Sequence, residues 1–139
     1  MTTARTDPRR GELARVVAVG LGALAAVVLV ASVDPHEPGH YPTCPTLTLA
    51  GVYCAGCGAL RAVHSLTRLD LAGAWDMNPL LVVAVPFVVA AWAGWAWRAW
   101  TGGVRRAPAR AWVVWSLFAV VVGYSVLRNV PALAPWLAP

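Results

Sequence analysis

The chain has 139 residues, of which 59% are hydrophobic and only 12% are charged, and its formal net charge is +5. A soluble globular domain carries about 25% charged residues, so this composition argues against an ordinary soluble enzyme and excludes a disordered tail protein. The class that remains is a single integral membrane domain. All eleven basic residues are arginines that flank apolar runs, which indicates membrane orientation rather than nucleic-acid binding.

Three uncharged apolar runs predict transmembrane helices over residues 16–33, 79–97 and 111–127. Eighteen helical residues span about 27 Å, close to the ~30 Å hydrocarbon core of a bilayer. The first run also resembles a cleavable signal peptide, but it is longer than the usual hydrophobic region of about 7–15 residues, which favours a retained anchor. The predicted fold class is an all-α integral membrane protein with three transmembrane helices.

The distribution of arginines predicts how these helices are oriented. Four arginines lie in residues 1–15 and four in residues 98–110, against three in the remaining segments. The positive-inside rule therefore places 1–15 and 98–110 in the cytoplasm, and the 34–78 segment and the 128–139 tail outside. The predicted location is the plasma membrane of the cell, as a multi-pass protein whose amino terminus is cytoplasmic.

Two further features concern packing within the membrane. Tryptophans gather where the second and third helices meet the predicted cytoplasmic surface, as in an aromatic belt (Trp92, Trp95, Trp97, Trp100, Trp112, Trp115). Small residues recur every fourth position along the first helix, a spacing that permits close helix pairing (Ala14, Ala18, Gly22, Ala26). The expected partners are the lipid bilayer and a second membrane subunit, identical or different, and no nucleic acid.

The 34–78 segment carries the residues with chemical potential. Four prolines prevent a continuous helix over residues 34–53, and all three cysteines of the chain lie in this segment. From Ala59 the pattern becomes helical, with leucine and valine on one face and Arg61, His64, Ser65 and Arg68 on the other. This pattern predicts an amphipathic interfacial helix whose polar face meets headgroups or water.

Short polar residues mark the helix starts that follow. Asp70 is expected to cap a short helix over residues 71–77, and Asn78 to cap the membrane helix that begins at Pro79. His36 and His40 stand beside Asp34 and Glu37, a set that could bind a cation but is more simply a solvated loop. Arg61 is expected to bind loop carbonyls rather than lipid phosphate.

The spacing of these residues resembles a known family. Cys44-Pro45, the run Cys54-x-x-Cys57-Gly58-x-x-Arg61 and Asn78-Pro79 are similar to the pattern of the bacterial "domain of unknown function 2752" family of small membrane proteins. Ala55 and Leu60 depart from that pattern, which usually has proline and threonine there. The resemblance covers Cys44 to about Leu80 and implies a membrane location, with Gly58, Arg61, Asn78 and Pro79 supporting the motif, but no activity.

Three interpretations of the cysteines remain open. Cys44, Cys54 and Cys57 with one histidine, His64 or His40, would make a tetrahedral zinc site. Alternatively, Cys44 forms a disulfide with Cys54 or Cys57, since the predicted compartment is oxidising. In the third interpretation Cys54 is a redox nucleophile activated at a helix start.

These alternatives lead to two functional hypotheses. The first is a non-enzymatic accessory or structural subunit whose loop is held by zinc or by a disulfide. The second is an extracytoplasmic membrane thiol-disulfide oxidoreductase that uses the Cys54–Cys57 pair. Sulfur atoms about 3.5–4 Å apart would indicate a shared metal ion, whereas a separation near 2.05 Å would indicate a covalent bridge.

Overall fold

The computed structural model describes residues 8–37, 39–103 and 110–138. Within these ranges the fold is all-α and contains no strand, which confirms that part of the predicted class. The described helices are, in chain order, α1 (Pro8–Ser32), α2 (Pro45–Ala50), α3 (Ala59–Thr67), α4 (Leu71–Met77), α5 (Pro79–Thr101), α6 (Ala111–Leu127) and α7 (Ala134–Leu137).

Two of these helices, α1 and α5, are long and apolar enough to cross a membrane, and α6 is a shorter apolar helix. The first predicted span, 16–33, starts inside α1, which begins earlier, and ends one residue beyond it, whereas the second, 79–97, lies within a helix that continues to Thr101. Pro86 lies inside α5 without ending it. At 17 residues, α6 is about 26 Å long.

α1 and α5 pack side by side in opposite directions. Near the start of α1, the Trp95 indole donates a hydrogen bond of 2.9 Å to the Glu12 carboxylate, and the Trp92 indole donates to the Val16 carbonyl at 3.4 Å. A Cβ atom on Gly20 would lie 2.8 Å from the Trp92 ring, so the absence of a side chain there permits the close approach. Two tryptophans of the expected belt therefore pack against α1.

The buried apolar core is small. In the described part of the chain it consists of six residues (Val16, Val30, Cys57, Ala62, Ala74, Ala99). Large apolar side chains elsewhere on the long helices stay exposed, for example Leu21, Phe87 and Leu117 at 61%, 71% and 64%. Such a surface is unfavourable in water and is the one expected of helices that face lipid.

The opposite ends of the apolar helices meet at the 34–78 segment. His64 on α3 contacts the Val30 carbonyl near the end of α1 at 2.8 Å. Asn78 at the start of α5 and Arg128 at the end of α6 both donate to the Cys57 carbonyl. The 34–78 segment thus joins three helix ends at one end of the molecule.

The amphipathic helix exists as α3, but its polar face is not wholly turned to solvent. Arg61 and Arg68 are exposed, whereas His64 and Ser65 are only 4% and 7% exposed. Leu60, expected on the apolar face, is 42% exposed. The expected orientation is therefore wrong for part of the helix, because His64 finds a hydrogen-bond partner on α1 and can be buried there.

The expected caps are present. The Asp70 carboxylate accepts a hydrogen bond of 2.9 Å from the Gly73 amide at the start of α4. Asn78 accepts one of 3.0 Å from the Leu81 amide at the start of α5. The short helix α2 was not expected; it starts with Pro45 in its first turn, where the missing amide proton costs no helical bond.

Candidate metal centre

The three cysteines come together where the 34–78 segment joins the helix ends. The Sγ atoms of Cys44 and Cys54 are 3.4 Å apart, and those of Cys54 and Cys57 are 3.6 Å apart. All three sulfur atoms lie within 4.8 Å of one another, close enough to hold a metal ion. We call this set the cysteine cluster. Cys57 is buried, and Cys44 and Cys54 are half-buried.

A tight turn presents the Cys54–Cys57 pair. The Cys57 amide donates to the Cys54 carbonyl at 3.1 Å, and the Ala59 amide to the Gly56 carbonyl at 3.0 Å. Gly58 then takes a left-handed conformation with φ +76° before α3 begins. Residues with a Cβ rarely adopt this φ, which explains why the motif has glycine directly after the second cysteine.

Cys44 reaches the same point from the start of α2. Its carbonyl accepts hydrogen bonds from the amides of Leu47 and Thr48 at 3.1 and 3.0 Å, which fixes its backbone. Its sulfur lies 2.9 Å from the Thr46 hydroxyl oxygen. The short helix therefore aims a third sulfur at the pair formed by the turn.

The geometry does not support the expected disulfide. All three thiols are free, and the separations of 3.4 and 3.6 Å exceed the roughly 2.05 Å of a covalent bridge. They approach instead the edge of about 3.8 Å that a tetrahedron has when zinc–sulfur bonds are about 2.3 Å long.

Neither histidine proposed as the fourth ligand lies in the cysteine cluster. His64 groups instead with Asp34 and His36, and His40 lies beside Asp34 and Glu37, with its Nδ1 3.3 Å from the Asp34 carbonyl. Because His64 is the sixth residue of α3, it lies about 7.5 Å along the helix axis from the helix start. A regular α3 therefore carries it away from the cysteines.

Asn78 supports the cysteine turn besides capping α5. Its side-chain amide donates to the carbonyls of Ala55 and Cys57 at 2.8 and 3.1 Å, and the residue is 1% exposed. Because the same side chain binds the Leu81 amide, it links the turn rigidly to the start of α5. A helix cap alone would not require the two donor contacts.

Arg128 is the residue of this site that the sequence did not reveal. It is fully buried, and one guanidinium nitrogen, Nη1, donates to the carbonyls of Cys54 and Cys57 at 3.0 and 2.8 Å. Its other nitrogens donate to the carbonyls of Met77 and Leu137 at 3.1 and 2.7 Å. Among the residues that the structure describes, no carboxylate pairs with this guanidinium.

The neighbours of Arg128 complete the support from α6. Asn129 exchanges two hydrogen bonds with the backbone of Tyr53, of 2.9 and 2.7 Å. The Ser125 hydroxyl accepts a hydrogen bond of 3.0 Å from the Ala55 amide. A proline at position 55 would have no amide proton and could not make that bond. Alanine at position 55 therefore provides the amide proton that the Ser125 hydroxyl on α6 accepts.

Arg61, another position of the motif, makes its side-chain hydrogen bond outside the cysteine cluster. The Arg61 Nε donates to the Pro35 carbonyl at 3.3 Å, so it binds a loop carbonyl, as expected, although not one of the cysteine turn. Leu60 is exposed on the first turn of α3.

The surroundings shift the pKa values of two thiols in opposite directions. Hydrogen bonds from the Thr46 hydroxyl, from Cys57 and from the Leu47 amide lower the pKa of Cys44 to about 6. Burial, together with the neighbouring Cys44, raises the pKa of Cys57 to about 11. A thiolate on one cysteine disfavours ionisation of its neighbour. A cation bound among the three sulfur atoms would stabilise all of them as thiolates.

Comparison with known proteins bears on the same region. Residues 44–92 match the family described as "Protein of unknown function (DUF2752)". No significant match was found among curated proteins or among solved structures. The matched range includes the three cysteines, Gly58, Arg61, Asn78 and Pro79, whereas Arg128 lies outside it. The match confirms the resemblance to this family over residues 44–92.

Proposed function

We propose that this chain is a membrane protein whose 34–78 segment binds a zinc ion through the thiolates of Cys44, Cys54 and Cys57. The observation that carries the proposal is the approach of three unbridged sulfur atoms to within 4.8 Å of one another. Thiolate sulfur is the ligand that zinc and other soft or borderline ions prefer. The three protein ligands leave a fourth position for water or another group.

The charge around the cluster supports the same conclusion. Three thiolates and a divalent ion carry one net negative charge, and an uncompensated buried charge is costly. The buried guanidinium of Arg128 lies against the two carbonyls of the cysteine turn. Its positive charge offsets the negative charge of the complex, which accounts for a buried arginine that has no carboxylate partner in the described part of the chain.

The proposed role is structural and non-enzymatic. Cys44 follows the proline-rich stretch, whereas the Cys54–Cys57 turn is bound to α5 through Asn78 and to α6 through Arg128. An ion shared by all three sulfurs would therefore hold the 34–78 segment against the ends of the apolar helices. We propose that the chain acts in this form as an accessory subunit that pairs with another membrane protein or with itself.

The test is metal analysis of the full-length protein purified in detergent. We expect about one zinc ion per chain by elemental analysis, no free thiol before chelation and three after it. Replacement of any one cysteine by serine should abolish retention of the ion, whereas His40→Ala should retain it. Metal-free protein with a Cys54–Cys57 bridge that forms and is reduced reversibly would refute the proposal and favour the thiol oxidoreductase.

We also propose three membrane crossings with a cytoplasmic amino terminus and the cysteine cluster outside. The arginine count and the exposed apolar surfaces of α1, α5 and α6 support this topology. In chelator-treated intact cells, a membrane-impermeant thiol reagent should label the wild-type cysteines. A variant with all three cysteines changed to serine and with Gly103→Cys should be labelled only after lysis. The reverse pattern would refute this orientation.

A further inference from the structure

A second set of metal-ligating side chains lies outside the cysteine cluster. Asp34, His36 and His64 each offer one ligand atom, a carboxylate oxygen or a ring nitrogen, and these atoms lie within 4.8 Å of one another. The Asp34 Oδ1 is 2.8 Å from the His36 Nδ1 and 3.8 Å from the His64 Nε2. We call these three residues the histidine cluster. Asp34 and His36 follow α1, whereas His64 belongs to α3, so the fold alone brings them together.

His64 is held as a metal-ligating histidine is usually held. The residue is only 4% exposed, and its Nδ1 lies 2.8 Å from the Val30 carbonyl. Because a carbonyl only accepts, Nδ1 must carry the proton, and Nε2, which lies 3.8 Å from the Asp34 Oδ1, then has a lone pair. A histidine that ligates a metal ion usually donates its other ring N–H to a carbonyl or a carboxylate in this way.

We propose that the histidine cluster is a second cation site, for a divalent transition ion such as Zn²⁺ or Ni²⁺. Imidazole and carboxylate ligands suit these ions, with bonds of about 2.0–2.2 Å. A tetrahedron with such bonds has edges of about 3.4 Å, and the two distances measured from the Asp34 oxygen, 2.8 and 3.8 Å, lie on either side of this value. The site does not depend on metal at the cysteines.

Arg68 competes with the proposed ion for the Nε2 atom of His64. Its Nε donates to the His64 Nε2 at 2.9 Å, so the guanidinium uses the lone pair that the ion needs. Arg68 is exposed, and turning its side chain into solvent breaks the half-buried hydrogen bond to His64. An ion bound to His64 must displace it, and removal of the guanidinium should therefore strengthen binding. A simple hydrogen-bonded cluster without an ion would not show this reciprocal effect.

The proposed ion would link the stretch that follows α1 to helix α3. Among the described residues, Arg61 from α3 also contacts this stretch, through the Pro35 carbonyl. An ion between Asp34, His36 and His64 would fix the chain that leaves α1 to the face of α3. Like the cysteine cluster, it would hold the 34–78 segment against a helix end, but with ligands of different hardness.

The experiment is equilibrium dialysis of Ni²⁺ against the full-length chain in detergent at about pH 7.5, where free imidazole is neutral. Sulfur-to-nickel charge-transfer absorption reports any ion held by the cysteines. We expect a bound ion without that absorption. The exposed His36 is the informative position. His36→Ala should weaken this binding by more than about tenfold, since even the loss of a group that only hydrogen-bonds to a ligand costs about 10–100-fold in metal affinity.

Two matched variants complete the design. His40→Asn changes an exposed histidine outside the cluster but keeps a side-chain amide that can donate to the Asp34 carbonyl, so it should leave the affinity within about twofold. Arg68→Gln should tighten binding. The proposal is overturned if all bound Ni²⁺ shows charge-transfer absorption, if His36→Ala binds like the wild type, or if Arg68→Gln binds more weakly. Zinc analysis of the cysteine variants is a separate measurement, so the two sites can fail independently.

Discussion

Replacement of Arg128 by methionine tests the proposed cysteine site most directly. The substitution keeps much of the side-chain volume but removes the charge and all four carbonyl contacts. Two of these contacts hold the carbonyls of Cys54 and Cys57. A hydrogen bond to a charged group contributes about 1.5–3 kcal/mol, so their loss costs the turn up to about 3–6 kcal/mol before relaxation.

Part of this cost should appear as lost metal affinity. Loss of a group that orients the metal ligands lowers metal affinity by about 10–100-fold, or about 1.4–2.8 kcal/mol, and we expect Arg128→Met to fall in this range. Arg128→Lys keeps the charge but has three donors for four carbonyls, so its loss should be smaller. The measurement is competition for Zn²⁺ against a chromophoric chelator in detergent.

Arg110→Met is the matched control because Arg110 is exposed at the opposite end of the same helix and makes no side-chain cap contact. If Arg128→Met binds zinc within about twofold of the wild type while remaining folded, the guanidinium does not stabilise the site. The electrostatic part of the proposal would then be wrong, whatever the metal content of the wild type.

Three other predictions concern neighbouring parts of the molecule. Asn78→Asp keeps the acceptor for the Leu81 amide but loses both donors to the cysteine turn. The backbone amides of that turn should therefore exchange hydrogen faster, with a loss of about 1–3 kcal/mol in protection free energy. The exposed control Asp76→Asn should leave their exchange unchanged, and unchanged exchange in Asn78→Asp would contradict the assignment. Gly20→Val places a Cβ 2.8 Å from the Trp92 ring and should lower the free energy of unfolding in detergent by about 1–3 kcal/mol. A Cβ at Gly22 meets nothing within 4 Å, so Gly22→Val should leave the stability unchanged. Equal effects of the two substitutions would refute the packing of α1 against α5. In chelator-treated protein, Cys44 has a lowered pKa of about 6, so its thiolate persists until the pH falls through that value. The rate of Cys44 alkylation should therefore level off above about pH 7 rather than near pH 9. A rate that keeps rising through pH 8.5, as for an ordinary thiol, would contradict this.

Several elements of the fold follow from local patterns. Long apolar runs produced α1, α5 and α6, and the caps Asp70 and Asn78 start α4 and α5 where the sequence places them. The reason is that helix starts and apolar length depend on residues within one or two turns of each other. The Cys54–Cys57 turn is equally local, since its bonds join residues three apart.

The assignment of the histidines could not be made in the same way. His64 is seven residues from Cys57, a spacing compatible with a shared ion only if the chain folds back. A regular α3 instead carries the imidazole toward the end of α1, where the Val30 carbonyl accepts a hydrogen bond from it. That choice depends on how two distant helices pack, and no local pattern contains it.

By itself, the sequence determined that this chain is helical, that its long helices suit a lipid environment, and that three thiols lie within one short segment, because each of these properties depends on composition and near neighbours. Only the tertiary structure decided that the thiols lie side by side, that Arg128 supports them from 71 residues beyond Cys57, and that Asp34, His36 and His64 form a separate cluster. The physical reason is that buried carbonyls and imidazoles must be satisfied by whatever groups the packed helix ends bring to them.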